Sequence, residues 1–87
     1  MKVIRLTDEA WDTYVWWQGQ DKKTLKRINL LIESARRTPF EGIGKPELLV
    51  GNLTGFWSRR IDDANRLVYA VDGNQLTIIS CRYHYDS

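Results

Sequence analysis

Cysteine and histidine occur once each, as Cys81 and His84. A lone cysteine excludes an internal disulfide, and one cysteine with one histidine is too few for a zinc site of the usual ligand types. No stretch approaches the roughly 20 apolar residues that span a bilayer, and the Met1-Lys2-Val3-Ile4-Arg5 start lacks the apolar block and small-residue cleavage site of a signal peptide. A cytoplasmic protein with no membrane partner, metal or cofactor is expected. A strong excess of charge is also missing, since 13 Lys+Arg against 11 Asp+Glu leaves only +2. The basic residues are nonetheless unevenly spread: Lys22, Lys23, Lys26, Arg27, Arg36 and Arg37 share one stretch whose sole acid is Glu33. With 87 residues, 43% of them hydrophobic and 28% charged, the chain has material for one compact core, so residues 1–87 are expected to form a single domain. Chains of this size bury only about 60% of their unfolded surface, which makes a bound partner a natural source of added stability.

Val3 to Leu6 can begin a strand. Thr7 then offers an N-cap hydroxyl, and Asp8 and Glu9 in the next turn complement the positive helix end, so a helix over about 8–18 is expected. Its apolar face is expected to carry the rows Ala10/Tyr14 and Trp11/Val15. Gln18-Gly19-Gln20 breaks the pattern and Asp21 caps a second helix, in which Leu25, Ile28, Leu31, Ile32 and Ala35 form the stripe. Pro39 turns Thr38 away from helical angles, stopping that helix near Arg37. Thr38 to Glu47, holding both prolines with Gly42 and Gly44, reads as the longest loop. After it come short strands: Leu48-Leu49-Val50, Phe56 to Ile61, Arg66 to Val71 and Leu76 to Tyr83. The last two are apolar at both parities, as strands covered on both sides or curled into a deep groove are. The fold class expected is α+β, an N-terminal helical hairpin packed on a mainly antiparallel sheet of about four to five strands. Phe56, Trp57, Trp11 and Tyr14 are expected in the core, Cys81 as a small buried hydrophobe, and one of Trp16 and Trp17 at the surface or an interface.

If Gly73-Asn74 is a two-residue hairpin loop, Asp72 faces Gln75, and to within a residue or two Arg66 faces Cys81 and His84 faces residue 63. His84 and Tyr85 then approach the start of the Arg66 strand. Arg59 and Arg60 precede the same turn and point to opposite faces, so one of them adds a second cation. This combination suits a phosphodiester. RNA carries its own nucleophile, the 2′-hydroxyl, so cleaving it requires a base, an acid and a cation rather than a serine, a cysteine or a metal. Arg66 can clamp phosphate oxygens with its fork of donors, and His84 can protonate the leaving oxygen. Glu47 is the candidate base, and Lys45, Arg59 and Arg60 are candidate RNA or phosphate contacts. The bland reading of Arg66 is a surface ion pair with Asp62 or Asp63.

Five segments carry a resemblance: Arg36-Arg37-Thr38-Pro39-Phe40-Glu41-Gly42, Gly44-Lys45-Pro46-Glu47, Asn52-Leu53-Thr54-Gly55-Phe56-Trp57-Ser58-Arg59-Arg60-Ile61, Asn65-Arg66-Leu67-Val68-Tyr69-Ala70-Val71 and Cys81-Arg82-Tyr83-His84-Tyr85. In order and through nearly the whole chain, they resemble the YoeB toxins, of the Txe/YoeB branch of the RelE-like superfamily. The resemblance implies a microbial-ribonuclease-like fold, cleavage of messenger RNA in the ribosomal A site, and control by a YefM-like antitoxin through which alone DNA is contacted. It matches the family's glutamate base to Glu47, its phosphate-stabilising arginine to Arg66, its acid to His84 and the adjacent tyrosine to Tyr85. It further implies a homodimer that bridges the ribosomal subunits, with Lys22, Lys23, Lys26, Arg27, Arg36 and Arg37 facing ribosomal RNA. The chain departs from the family in having Leu48-Leu49-Val50 where a further basic residue is expected after the glutamate.

Two other functions fit the same residues. A catalytically silent module would use the groove to hold a peptide or RNA and would tolerate loss of His84 to Ser87. A nuclease acting on free RNA would need no ribosome.

Overall fold

Thr7 joins the first strand to the first helix and is bonded to both sides of that junction. Its Oγ1 accepts the Ala10 N–H at 3.1 Å as an N-cap and donates to the Ile79 carbonyl at 3.0 Å. The computed structural model describes Lys2 to Tyr83. Strand β1 is Val3–Leu6, helix α1 is Asp8–Gln18 and helix α2 is Lys22–Arg37, the last capped by the Asp21 carboxylate on the Lys23 N–H. Three further strands and a stub follow: β2 is Glu47–Leu48, β3 is Trp57–Arg60, β4 is Arg66–Asp72 and β5 is Gln75–Ser80. The five form one sheet in the order β1-β5-β4-β3-β2, antiparallel except for the parallel β1/β5 pair. The two helices and the mixed sheet make the expected α+β architecture.

Ile28, Leu31 and Ala35 of α2, with Ala10 and Trp17 of α1, are buried against Leu67, Tyr69, Leu76 and Ile78 of the central strands. Burial of this kind, at roughly 25 cal/mol per Å² of apolar surface, is the main favourable term in folding. Val68 on β4 is buried as well, between Leu67 and Tyr69, so the middle of the central strand is buried on both of its faces.

Several sequence expectations are corrected. Trp11 is 55% exposed and Val15 is also exposed, because α1 turns the row Ala10, Thr13 and Trp17 inward instead. Thr13 is the polar residue that hides this stripe in the sequence: its Oγ1 donates to the Glu9 and Ala10 carbonyls and accepts the Cys81 N–H at 3.1 Å. The strand expected at Leu48-Leu49-Val50 is Glu47–Leu48, with Leu49 buried and its N–H bonded to the Phe56 carbonyl before a 3-10 turn over Gly51–Leu53. The last strand ends at Ser80 rather than Tyr83, where Cys81 leaves the sheet for α1. There the Trp17 Nε1–H donates to the Cys81 carbonyl at 2.7 Å. Trp16 is partly buried beneath the Arg82 guanidinium, whose carbon lies 3.5 Å from the ring centre.

The hairpin pairs Asp72 with Gln75 as expected and keeps that register to Tyr69/Ile78. A bulge then shifts it by one residue, so Val68 pairs with Ser80 and Ile79 is the extra residue.

Candidate active site

Strand β4 presents Arg66, Val68 and Ala70 to the sheet face opposite the helices, because successive side chains alternate and Leu67 and Tyr69 point to the core. Register extends this face across the sheet. Glu47 pairs with Ser58, Ser58 with Val68 and Val68 with Ser80, while Arg60 pairs with Arg66. Ser58, Val68 and Ser80 are buried and form the floor. Glu47 is exposed and Arg60 and Arg66 are partly so, one pleat further along. Two strand spacings of about 4.8 Å and two residues of about 3.3 Å put the Glu47 and Arg66 backbones roughly 12 Å apart, a gap that a phosphodiester between two long side chains can fill.

Arg60 and Arg66 are direct cross-strand partners of like charge, an arrangement that is unfavourable unless an anion lies between or beside them. Arg60 pairs with Asp63, whose side chain is 93% exposed, so water competes with that contact. The surface ion pair that was the bland alternative for Arg66 is not formed among the described residues. Its Nη1 lies 3.4 Å from the Asp62 carbonyl, and the Asp62 carboxylate instead accepts the N–H groups of Ala64 and Asn65 and the Asn65 amide. A guanidinium without a carboxylate partner, next to a second one, is a ready site for a phosphate.

Arg59, expected among the phosphate contacts, has no donor left for one. It is fully buried on the helix side: Nε donates to Tyr69 Oη at 3.0 Å, Nη1 to Ser34 Oγ and the Ile43 carbonyl, and Nη2 to the Thr38 and Glu41 carbonyls. Of the two arginines, Arg60 shares the face of Arg66. Lys45 is exposed, in the left-handed region at φ 52°, two residues before Glu47.

At the other end of this face, the chain after β5 is tied to the start of β4. Tyr83 donates its N–H to Asn65 Oδ1 at 2.8 Å and accepts the Arg66 N–H on its carbonyl at 2.9 Å, itself at φ 75°. The Arg82 guanidinium carbon lies 4.7 Å from the centre of the Tyr83 ring as well as 3.5 Å from that of Trp16. His84 and Tyr85 lie outside the described residues. Neither tether of Tyr83, to Asn65 or to Arg66, is announced by the sequence, where Asn65 reads as a turn residue before a strand.

The six basic residues of α2 do not behave alike. Lys22, Lys23, Lys26, Arg27 and Arg37 are exposed, but Arg27 donates to the carbonyls of Arg60 and Ile61, and the partly buried Arg36 donates to that of Lys2. Two buried groups titrate abnormally, neither on the open face. Burial pushes the Tyr69 phenol up, against an opposing hydrogen bond from Arg59, and pushes the Cys81 thiol up, against one from Thr13. Among the described residues, no three His, Cys, Asp or Glu side chains cluster where they could hold a metal ion, and no helix is long and apolar enough to cross a membrane.

Residues 6–85 match the sequence profile of the YoeB-like toxin of bacterial type II toxin–antitoxin systems. Toxin YoeB of Escherichia coli strain K12 is 59% identical over 85 residues, which cover 98% of this chain and all of that protein. A YoeB/ParE toxin from Agrobacterium tumefaciens superposes with a TM-score of 0.92 at 48% identity, over 98% of this chain and 100% of the other. YoeB of Staphylococcus aureus, solved as a dimer and in a heterotetrameric YoeB–YefM complex, superposes with TM-scores of 0.88 and 0.87 at 49% identity. It covers 97% and 98% of this chain, and 98% and 99% of its own. The chain therefore belongs to the YoeB-like toxins of bacterial type II toxin–antitoxin systems.

Proposed function

We propose that this toxin is a ribosome-dependent endoribonuclease that cuts messenger RNA in the A site by transesterification. Glu47 takes the proton of the 2′-hydroxyl as its oxygen forms a bond to phosphorus. Arg66, aided by Arg60, neutralises the charge that builds on the equatorial oxygens. The bond from phosphorus to the 5′-oxygen then breaks, and His84 supplies that oxygen with a proton, leaving a 2′,3′-cyclic phosphate and a 5′-hydroxyl. Tyr85 orients the substrate next to the acid. The reaction needs no metal, because the nucleophile belongs to the RNA and the positive charge is supplied by guanidinium groups. The observation that carries this reading is the cross-strand pair Arg60/Arg66 on the face that also bears Glu47. The tether of Tyr83 to Asn65 and Arg66 supports His84 as the acid, since it is the next residue along the chain.

The imidazole has to be protonated to act as an acid.

The antitoxin partner is taken to be YefM-like, by analogy with the complex of the Staphylococcus aureus relative, and a homodimer by analogy with its dimer. The exposed Lys22, Lys23, Lys26 and Arg37 are the residues offered to ribosomal RNA. The protein works in the cytoplasm and meets DNA only through its antitoxin.

Incubating ribosomes programmed with messenger is the direct test. Wild type should cut the message, and Glu47→Ala, Arg66→Ala and His84→Gln should each lose at least about a hundredfold in rate. Undiminished cleavage by all three refutes the assignment. Equal cleavage of free RNA would transfer the activity to a ribosome-independent nuclease.

A further inference from the structure

Arg59 is a buried cation with no carboxylate partner among the described residues, which is costly unless its surroundings supply compensating dipoles. They do so from one segment. Three of its five hydrogen bonds go to the carbonyls of Thr38, Glu41 and Ile43, and the Tyr69 hydroxyl that accepts a fourth donates to the Pro39 carbonyl at 2.6 Å. The fifth goes to Ser34 in the last turn of α2, whose carboxyl-terminal end favours positive charge. Segment 38–44 has no regular structure; the Thr38 carbonyl also takes the Glu41 N–H and the Glu41 carbonyl the Thr38 hydroxyl, and the guanidinium adds the donors that tie both to β3.

The glycines in this segment are fitted to the same group. Gly42 and Gly44 have φ of 122° and 83°, and a Cβ on either would come within 3.2 Å of an Arg59 side-chain atom. Directly after Gly44 the segment rejoins the sheet: the Gly44 carbonyl accepts the Arg60 N–H at 2.7 Å, and three residues later Glu47 pairs with Ser58. The clamp at Arg59 lies between these two attachment points on β3. Glu47 itself sits on a two-residue strand at the sheet edge, followed by the buried Leu49, whose N–H is bonded to the Phe56 carbonyl.

We infer that Arg59 is a positioning residue for the candidate base: by gathering the carbonyls of 38–43 it sets the path of the loop that delivers Glu47 to the face of Arg66. This rests on the function proposed above, since it takes Glu47 as the base. Lysine at this position keeps the charge but replaces a planar fork of five donors with a point cation of three, so it cannot hold the same set of oxygens.

A double-mutant cycle on ribosomal cleavage tests it. Arg59→Lys should lower kcat by about tenfold or more with KM little changed, since small misplacements of a reacting group have effects of that size. On a Glu47→Ala background the same substitution should cost nothing further. Equal losses in both backgrounds would overturn the inference. Tyr69→Phe, which removes one oxygen from the clamp and keeps the ring, should show the same non-additivity with a smaller loss, and it stands in if Arg59→Lys does not fold.

Amide hydrogen exchange separates this inference from the function it rests on. Both variants should exchange faster over 41–47 while the β4 and β5 amides remain protected. Unchanged exchange would refute the clamp whatever Glu47 does. If exchange rises but Glu47→Ala cleaves normally, the assignment of the base has failed instead, and with it the positioning role.

Discussion

The side-chain carbonyl of Asn65 accepts the backbone N–H of Tyr83, 18 residues further along, while the same side chain's amide donates to Asp62. One amide thereby joins the turn before β4 to the end of the described chain. Tyr83 is held at φ 75°, a conformation that costs a non-glycine residue about 1–3 kcal/mol and persists only where its surroundings enforce it.

Removing that side chain should release the carboxyl-terminal segment and leave the core intact. Asn65→Ala is expected to slow ribosomal cleavage by about tenfold, in the range of a lost positioning contact, and to move the melting temperature by only a few degrees. Asn65→Asp keeps the acceptor for Tyr83 but sets a second carboxylate against that of Asp62, so it should recover only part of the rate. Single-turnover kinetics alongside circular dichroism would check both.

Thr7 joins β1, α1 and the carbonyl of Ile79 with a single hydroxyl. Thr7→Ala should cost about 1–2 kcal/mol, the upper range of a lost N-cap, because a hydrogen bond to the sheet goes with it. Urea denaturation should show the midpoint falling with an unchanged slope. Thr7→Ser keeps the hydroxyl and should lose much less.

Gly44 and Gly55 separate two costs of a side chain. Both have positive φ, but a Cβ on Gly44 would lie 2.5 Å from Leu31 Cδ2 and 3.2 Å from Arg59 Cβ, whereas nothing lies within 4 Å of one on Gly55. Gly55→Ala should cost roughly 1 kcal/mol from backbone strain alone. Gly44→Ala should cost more by about 1–3 kcal/mol from crowding. Thermal unfolding of the two variants in parallel decides it.

Tyr69 and Cys81 both have their ionisation pushed up by burial, from ordinary values of 10.0 and 9.0. The folded state holds these protons more tightly than the unfolded state, so the stability they contribute is complete below the unfolded values and is lost as pH rises through the folded ones. Stability should therefore fall as pH rises above about 9, and Cys81→Ala should flatten the first part of that fall. Urea midpoints measured across this range test the sign.

Both helices and the final hairpin were legible because their signals are local. Thr7 and Asp21 mark the helix starts, Pro39 the stop, and Gly73-Asn74 fixes a register that the structure follows from Asp72 to Tyr69. Beyond Tyr69 the bulge at Ile79 shifts the pairing by one, and nothing in an alternating apolar run announces a residue that will be left out. The burial of Arg59 over Arg60 was equally hidden. Adjacent arginines on a strand must face opposite ways, but which one goes inward depends on carbonyls from a loop 16–21 residues away. Trp11 was assigned to the core by its size and spacing. Thr13 takes the inward direction instead, because its hydroxyl meets a backbone N–H from Cys81.

The parallel pairing of β1 with β5 joins Val3 to Gln75, so β1 waits for a segment made 72 residues later. During vectorial synthesis β1 therefore has no partner until β5 has left the exit tunnel, and a nascent chain stalled before that point holds two helices with an unfinished sheet beneath them. Closure then comes late and at once. Premature termination before Gln75 should thus yield inert, protease-sensitive fragments rather than a partially active poison.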